Sequence, residues 1–247
     1  MLPAPVALFM REIWIARQVV AGRAHLETDV AVLDTFVSPS DVCWDIGANS
    51  GTYTLALAKL AREVLAFEPV PHNERILRRV KDLARLSNVQ IETCAVSDRG
   101  GPARMSVPTE GFYGGYYMAS LDNKGSVIVQ TATVDGLIAE GLKEPDFIKC
   151  DAEGAEARIV NGARGLIARR PPIWLLETFE DDLFDLMHSL GYTAYLCTPS
   201  REIVPAPRRL ASDRNYWFVP TRSARALAAN RTIRCGDIEP PSNPAIA

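Results

Sequence analysis

The sequence predicts an α/β fold: a mostly parallel sheet with helices on both faces. Apolar strand-like runs alternate with helical ones from Val42 onward, at 42–46, 52–60, 64–67, 73–86 and 89–94. Parallel strands joined by crossover helices produce that rhythm. The first strand run also ends in a glycine turn, Asp45-Ile-Gly-Ala-Asn-Ser-Gly51, that opens straight into a helix. Such a turn sets backbone N–H groups at a strand's carboxyl end, where nucleotide-like ligands bind. The 247 residues, 47% hydrophobic and 23% charged, suffice for one large α/β domain and exclude an intrinsically disordered chain.

Residues 1–40 read as a helical extension leading into the core and capping its cleft. Val6, Leu8, Phe9, Ile13, Trp14, Val19 and Val20 recur at helix spacing, and Ala31, Val32, Leu33 and Phe36 do so again before Pro39. The core domain is expected over 41–221. Its rhythm changes between 100 and 134, where strands at 104–107 and 127–134 flank the stretch Glu110-Gly-Phe-Tyr-Gly-Gly-Tyr-Tyr117. Alternation resumes with 146–150, 155–168, 173–176, 182–190, 193–197 and 216–219. The 222–247 tail, with Pro240, Pro241 and Pro244, offers no core element.

Net charge is −3 and the pI about 5.7, which argues against nucleic acid as the main partner. Arg75, Arg78, Arg79, Lys81 and Arg85 share one helix and are expected on its solvated face, because Ile76, Leu77, Val80, Leu83 and Ala84 supply a buried one. The five cysteines include no CxxC pair, so a zinc site or disulfide framework is not expected and a reducing compartment fits better. No apolar run approaches the ~18–20 residues of a membrane span. The chain is expected to be cytoplasmic, with no metal; its oligomeric state stays open.

The glycine turn selects among ligands. No Gly-Lys-Ser/Thr closes it, so it is not a P-loop. Asp45 stands two residues before Gly47 at the strand's tip, where a carboxylate would repel a pyrophosphate by on the order of 4 kcal/mol at ~4 Å and an effective dielectric of ~20. The same carboxylate attracts an ammonium or a sulfonium. Asn49 occupies the place of the middle glycine of a dinucleotide fingerprint and crowds a pyrophosphate. S-adenosylmethionine meets these conditions: a cationic amine and sulfonium for Asp45, a carboxylate for the helix start after Gly51, and a ribose diol for Glu68, about 20 residues past the glycines. Pro69 then turns the chain away. Asp45 as a helix cap and Glu68 as an exposed strand-end charge form the plainer alternative.

These residues resemble the FkbM-type S-adenosylmethionine-dependent methyltransferases. The likeness runs from about Val42 to Val219 through Asp45-Ile-Gly-Ala-Asn-Ser-Gly-Thr-Tyr-Thr54, Phe67-Glu-Pro-Val-Pro71, Ala95-Val-Ser-Asp98, Thr133-Val-Asp-Gly-Leu137, Phe147-Ile-Lys-Cys-Asp-Ala-Glu-Gly-Ala-Glu156, Leu175-Leu-Glu177 and Asn215-Tyr-Trp-Phe-Val219. Many related enzymes share the first block, whereas the run 151–156 is much more specific. Cys150 stands where other members carry an aliphatic residue. The resemblance implies a seven-stranded class I methyltransferase (Rossmann-like) sheet and methyl transfer to a hydroxyl of a sugar, glycoside or polyketide-like metabolite. An N-acceptor, a protein acceptor or binding without turnover remains the alternative reading.

The donor-binding set is then Asp45, Gly47, Ala48, Asn49, Ser50, Gly51, Tyr53 and Thr54, with Glu68, Pro69 and Asp151; the resemblance places the adenine near Ala95, Val96 and Ser97. Asp151, at the tip of the strand 147–150, leads as general base, with Glu153 two residues on in the same turn. Both could instead cap the next helix. On the acceptor side stand His72, as an alternative base at the cleft rim, Glu177 at the tip of 173–176, and Tyr113, Tyr116 and Tyr117, read as a lid or else a surface hairpin.

Overall fold

In a computed structural model, residues 4–23, 27–107, 119–121, 124–178, 180–210 and 214–221 are described. Tyr113, Tyr116, Tyr117 and the 222–247 tail lie outside them. Parallel pairing joins β1 (Val42–Ile46) to β2 (Glu63–Phe67), β2 to β3 (Val89–Glu92), β1 to β8 (Phe147–Cys150) and β8 to β9 (Ile173–Glu177). Then β12 (Asn215–Pro220), β10 (Tyr192–Cys197) and β11 (Ile203–Pro205) continue antiparallel, in the order β11-β10-β12-β9-β8-β1-β2-β3. The sheet is therefore α/β as expected, with eight strands instead of seven, because β11 adds an edge.

Both faces are covered, which is why β1 and β8 are buried at every position. Trp44, Phe67, Ile148 and Trp174 fill one face. Cys43, Val64, Phe147 and Trp217 fill the other, beneath α2 (Thr52–Leu60) and a 3-10 helix over Thr28–Thr35. A second sheet, β4 (Ala95–Val96), β7 (Val127–Ala132), β5 (Gly101–Ser106) and β6 (Ser120–Leu121), was not foreseen. The run 89–94 ends at Glu92, and the next two apolar residues pair with β7 instead.

Two helices also differ from expectation. Thr133 caps α4 (Val134–Ala139) through Gly136 N–H, at 2.9 Å, so Val134 starts a helix rather than ending a strand. The expected helix 155–168 is split into α5 (Glu156–Asn161) and α6 (Arg164–Arg169). At the break a Cβ on Gly162 would stand 2.3 Å from the Ser97 carbonyl oxygen, so the chain bends where two backbones touch. On α3 (Pro71–Ala84), Ile76, Leu77 and Val80 are buried as the spacing demands, but Leu83 is exposed. α1 (Ala4–Val20) lies on α3, with Ile15, Ala16 and Val19 against Leu55, Ile76 and Val80.

Candidate active site

A cleft of about 580 Å³ opens at the carboxyl ends of β1, β2, β4 and β8. Of the expected residues, Gly47, Asn49, Glu68, Pro69, Ala95, Val96, Asp151 and Glu153 line it, beside Phe67, Asn73, Cys94 and Met105. The first turn is held from within. Gly47 and Ala48 both donate to the Phe67 carbonyl at 3.0 Å, and Gly51 N–H donates to the Ala48 carbonyl. Gly47 has φ +77, and a Cβ there would lie 1.8 Å from the Asp151 carbonyl oxygen, so only glycine lets the turn after β1 touch the end of β8. Asn49 takes φ +51, a conformation asparagine tolerates.

Glu68 binds this turn as well as facing the cleft. Its carboxylate accepts from Asn49 N–H at 2.7 Å and Val70 N–H at 2.8 Å. Burial pushes its pKa up to about 7 despite those two bonds. A carboxylate offers about four acceptor positions, so two remain.

Asp45 departs from the sequence expectation of a carboxylate aimed at the ligand. It is fully buried and does not line the cleft. Thr54 Oγ1 donates to its Oδ2 at 2.5 Å, and Lys149 Nζ lies 4.0 Å from its Oδ1. Burial raises its pKa, with Lys149 opposing. Ala48 and Ser50 are also buried, and Gly51 (φ +90) packs against Leu77 at the start of α2. Tyr53 donates to Glu27 Oε2 at 2.7 Å, and Lys149 Nζ stands 4.9 Å from its ring centre. Ser97 follows β4 and does not line this cleft; its hydroxyl donates to Asp98 Oδ1 at 3.2 Å. His72 does not reach the cleft rim: it is buried under α1, its Nδ1 3.5 Å from Glu12 Oε1.

Lys149 is the residue the motif reading passed over. It sits inside β8, buried on both flanks by strands, with Nζ 3.2 Å from Asp151 Oδ2. Burial works against its charge, yet the Asp151 and Asp45 carboxylates hold its pKa above the usual lysine value. A lysine in the middle of a four-residue buried strand was itself a signal, since lysine is almost never buried without a partner.

Glu156 was likewise quoted without a role. Its carboxylate accepts from Ala152 N–H at 2.7 Å and Gly154 N–H at 3.0 Å, so it holds the turn after β8. No side chain caps α5, so neither Asp151 nor Glu153 serves as its cap. Glu153 carries φ +50, a strained setting for a side chain of its kind.

The acids at this end are tuned apart. Burial would raise Asp151, but the Lys149 charge and a hydrogen bond with Glu177 hold its pKa below the usual value. Burial and that same hydrogen bond push Glu177 up to about 9, making it the protonated member of the pair. Burial and the Asp151 charge push Glu153 up to about 7. Arg214 Nη1 comes within 3.9 Å of Glu177 Oε1. Asp45, Glu68, Asp151, Glu153, Glu156 and Glu177 thus gather at this end, with the buried Lys149 ammonium between Asp45 and Asp151.

An α/β sheet whose leading strands end in acids around such a cleft defines a Rossmann-like ligand-binding protein. A family model described as the methyltransferase FkbM domain matches residues 45–194, and the chain belongs to that family. It is 29% identical to the hexuronic acid methyltransferase AglP of Haloferax volcanii, over 49% of this chain and 49% of that protein. It is 28% identical to the 31-O-demethyl-FK506 methyltransferase FkbM of Streptomyces tacrolimicus, over 60% of this chain and 67% of that one. The chain thus spans about half the length of the first of these relatives and two thirds of the second. A crystal structure of methyltransferase FkbM from Methylobacillus flagellatus superposes with a TM-score of 0.50 at 20% identity, covering 83% of this chain and 58% of that one, which supports the fold.

Proposed function

We propose that the protein is an S-adenosylmethionine-dependent O-methyltransferase acting on a hydroxyl of a small molecule, such as a sugar, glycoside or polyketide-like metabolite. The observation that carries this reading is the gathering of acids in the cleft lining, where Glu68, Asp151 and Glu153 stand together. Glu68, Glu153 and Glu177 hold protons above the ordinary carboxylate range because burial strips water from them and, for Glu153 and Glu177, because the Asp151 charge stands beside them. A cationic ligand relieves that strain, whereas a pyrophosphate adds to it.

The residues present fit the donor. Glu68 keeps acceptor positions for a ribose diol, and Phe67, Ala95, Val96 and Met105 form an apolar wall for a purine. Asp151 and Glu153 supply the negative charge that the sequence assigned to Asp45, which acts one layer back by anchoring Lys149.

When bound, the donor supplies a methyl group on a sulfonium, whose departure leaves a neutral thioether. The chain must then align the acceptor and take its proton. Alignment is worth up to ~7–11 kcal/mol in well-oriented systems. Glu153, with a pKa of about 7, is better matched to proton removal near neutrality than Asp151, whose basicity Lys149 suppresses. Asp151 is ionised and holds Glu177 in its protonated form. The two named relatives, one for a hexuronic acid and one for 31-O-demethyl-FK506, support a small-molecule acceptor. Incubating the protein with methyl-labelled donor and a panel of glycosides, uronic acids and polyketides tests the proposal. Label transferred to a hydroxyl is the expected result; label transferred only to nitrogen or to protein would overturn it.

A further inference from the structure

Leu121 lines the donor cleft and also a second groove that opens beside it. Three arginines reach the second groove from separate elements: Arg99 from the turn after β4, Arg104 from β5 and Arg158 from α5. Arg158 is far from the other two in sequence, and the fold brings it to them. The turn bearing Arg99 is fastened to β7, because Thr131 Oγ1 donates to the Arg99 carbonyl at 2.9 Å. Pro102, Ala103 and Leu121 add apolar surface to the lining.

The charge of this groove is positive and largely uncompensated. Among the described residues Asp98 is the one acid of its lining, and that carboxylate already accepts from Ser97 and stands 3.6 Å from Arg99. Arg104 Nη1 donates to the Gly125 carbonyl at 3.2 Å, and Arg158 Nη2 to the Leu121 carbonyl at 3.5 Å. Among the described residues no carboxylate pairs with either. A guanidinium carries five N–H donors, so most of each fork is left for a ligand or water. This basic groove stands next to a cleft lined by Glu68, Asp151 and Glu153, in a chain whose net charge is −3.

We propose that the groove binds the oxyanion of a small molecule, a carboxylate or a phosphoryl group, gripped by Arg104 and Arg158. The planar guanidinium fork meets either anion with two parallel hydrogen bonds, and charge-assisted bonds of this kind are the strong ones. The apolar lining takes the carbon skeleton. A nucleic acid needs a longer basic track than this groove offers in an acidic chain. Arg158 ties the groove to the donor cleft: its helix follows the turn that carries Asp151 and Glu153, and it bonds to Leu121, the residue shared by both openings. A ligand in the groove therefore lies beside the donor. On the methyltransferase reading, on which this step rests, the anion is borne by the acceptor, on a part other than its reacting hydroxyl. The two openings then sort the substrates by charge, the cationic donor to the acids and the anionic acceptor to the arginines.

The full chain, with S-adenosylhomocysteine present, is titrated by ligand-observed NMR with methyl glucoside, methyl glucuronide and glucose 6-phosphate, which share a sugar ring and differ in charge. Expected is binding of the anions roughly tenfold tighter than the neutral glycoside, weakening in high salt. Binding of one anion alone supports the site and tells a carboxylate from a phosphoryl source. Arg104→Gln and Arg158→Gln should each weaken anion binding roughly tenfold. Arg104 is exposed, so its variant reads the site even where Arg158→Gln lowers the melting temperature. The proposal is overturned if neither anion binds, if the glucoside binds as tightly as the anions, or if both variants bind them as the parent does. Its failure is separable from that of the reaction. Anion binding without methyl transfer to any acceptor counts against the reaction alone, and methyl transfer to neutral acceptors without anion binding counts against the groove alone.

Discussion

Lys149 and Asp45 are register partners across the β1–β8 pairing, and the ammonium of one stands 4.0 Å from a carboxylate oxygen of the other. That oxygen has no hydrogen bond among the described residues, so the lysine charge is what compensates its burial. Replacing the lysine by methionine keeps the volume and removes the compensation. Lys149→Met should therefore destabilise the fold by about 3–5 kcal/mol, read from urea denaturation. A loss below about 1 kcal/mol would show that Asp45 is neutral in the parent.

Stability should fall as pH rises through neutrality. In the folded protein Glu68 and Glu153 titrate at about 7 and Glu177 at about 9, against ~4.3 for an unfolded glutamate. A raised folded pKa gives stabilisation that is complete below the unfolded value and is lost as pH climbs through the folded one. The ligand-free melting temperature should thus decline from about pH 4.3 to about pH 9, and Glu177→Gln should flatten the upper part of that decline. A melting temperature that rises over this range would contradict the assignment.

Donor binding should release protons. A sulfonium entering beside Glu153 lowers that group's pKa, so near pH 7 the carboxyl loses its proton as the ligand binds. Calorimetry in two buffers of different ionisation enthalpy should show net release with S-adenosylmethionine and less with the uncharged thioether S-adenosylhomocysteine. Equal proton counts for the two would place the cationic end away from these acids.

The two carboxylates after β8 should separate in kinetics. Glu153→Gln should lower kcat by ~10²–10⁴-fold, as for loss of a general base, with a smaller loss of donor affinity because its charge also faces the sulfonium. Asp151→Asn should weaken donor binding as well, because Lys149 and Glu177 both lean on that charge. Normal turnover by Glu153→Gln would return the base role to Asp151.

Much of this was legible in the sequence, and the exceptions share a cause. Periodicity located β1, β2, β8, β9 and β12, because each is an apolar run between turn residues. Gly47 and Glu68 could be placed at strand tips by spacing alone. Orientation was not legible: Asp45 reads as a ligand carboxylate until Thr54 and Lys149, contributed by a neighbouring helix and strand, are seen to enclose it. His72 follows a cleft motif in sequence, yet α1 covers it from sixty residues away. The second sheet escaped notice because β4 and β6 are two residues each, too short for any period to show.

The charge of the cleft is tested most directly by titrating the wild-type protein calorimetrically with S-adenosylmethionine and, separately, with NAD⁺. Saturable binding of the sulfonium ligand, with no heat from the dinucleotide and binding lost in Glu68→Ala, is the expected result. Saturable binding of NAD⁺ with none of S-adenosylmethionine would contradict the account.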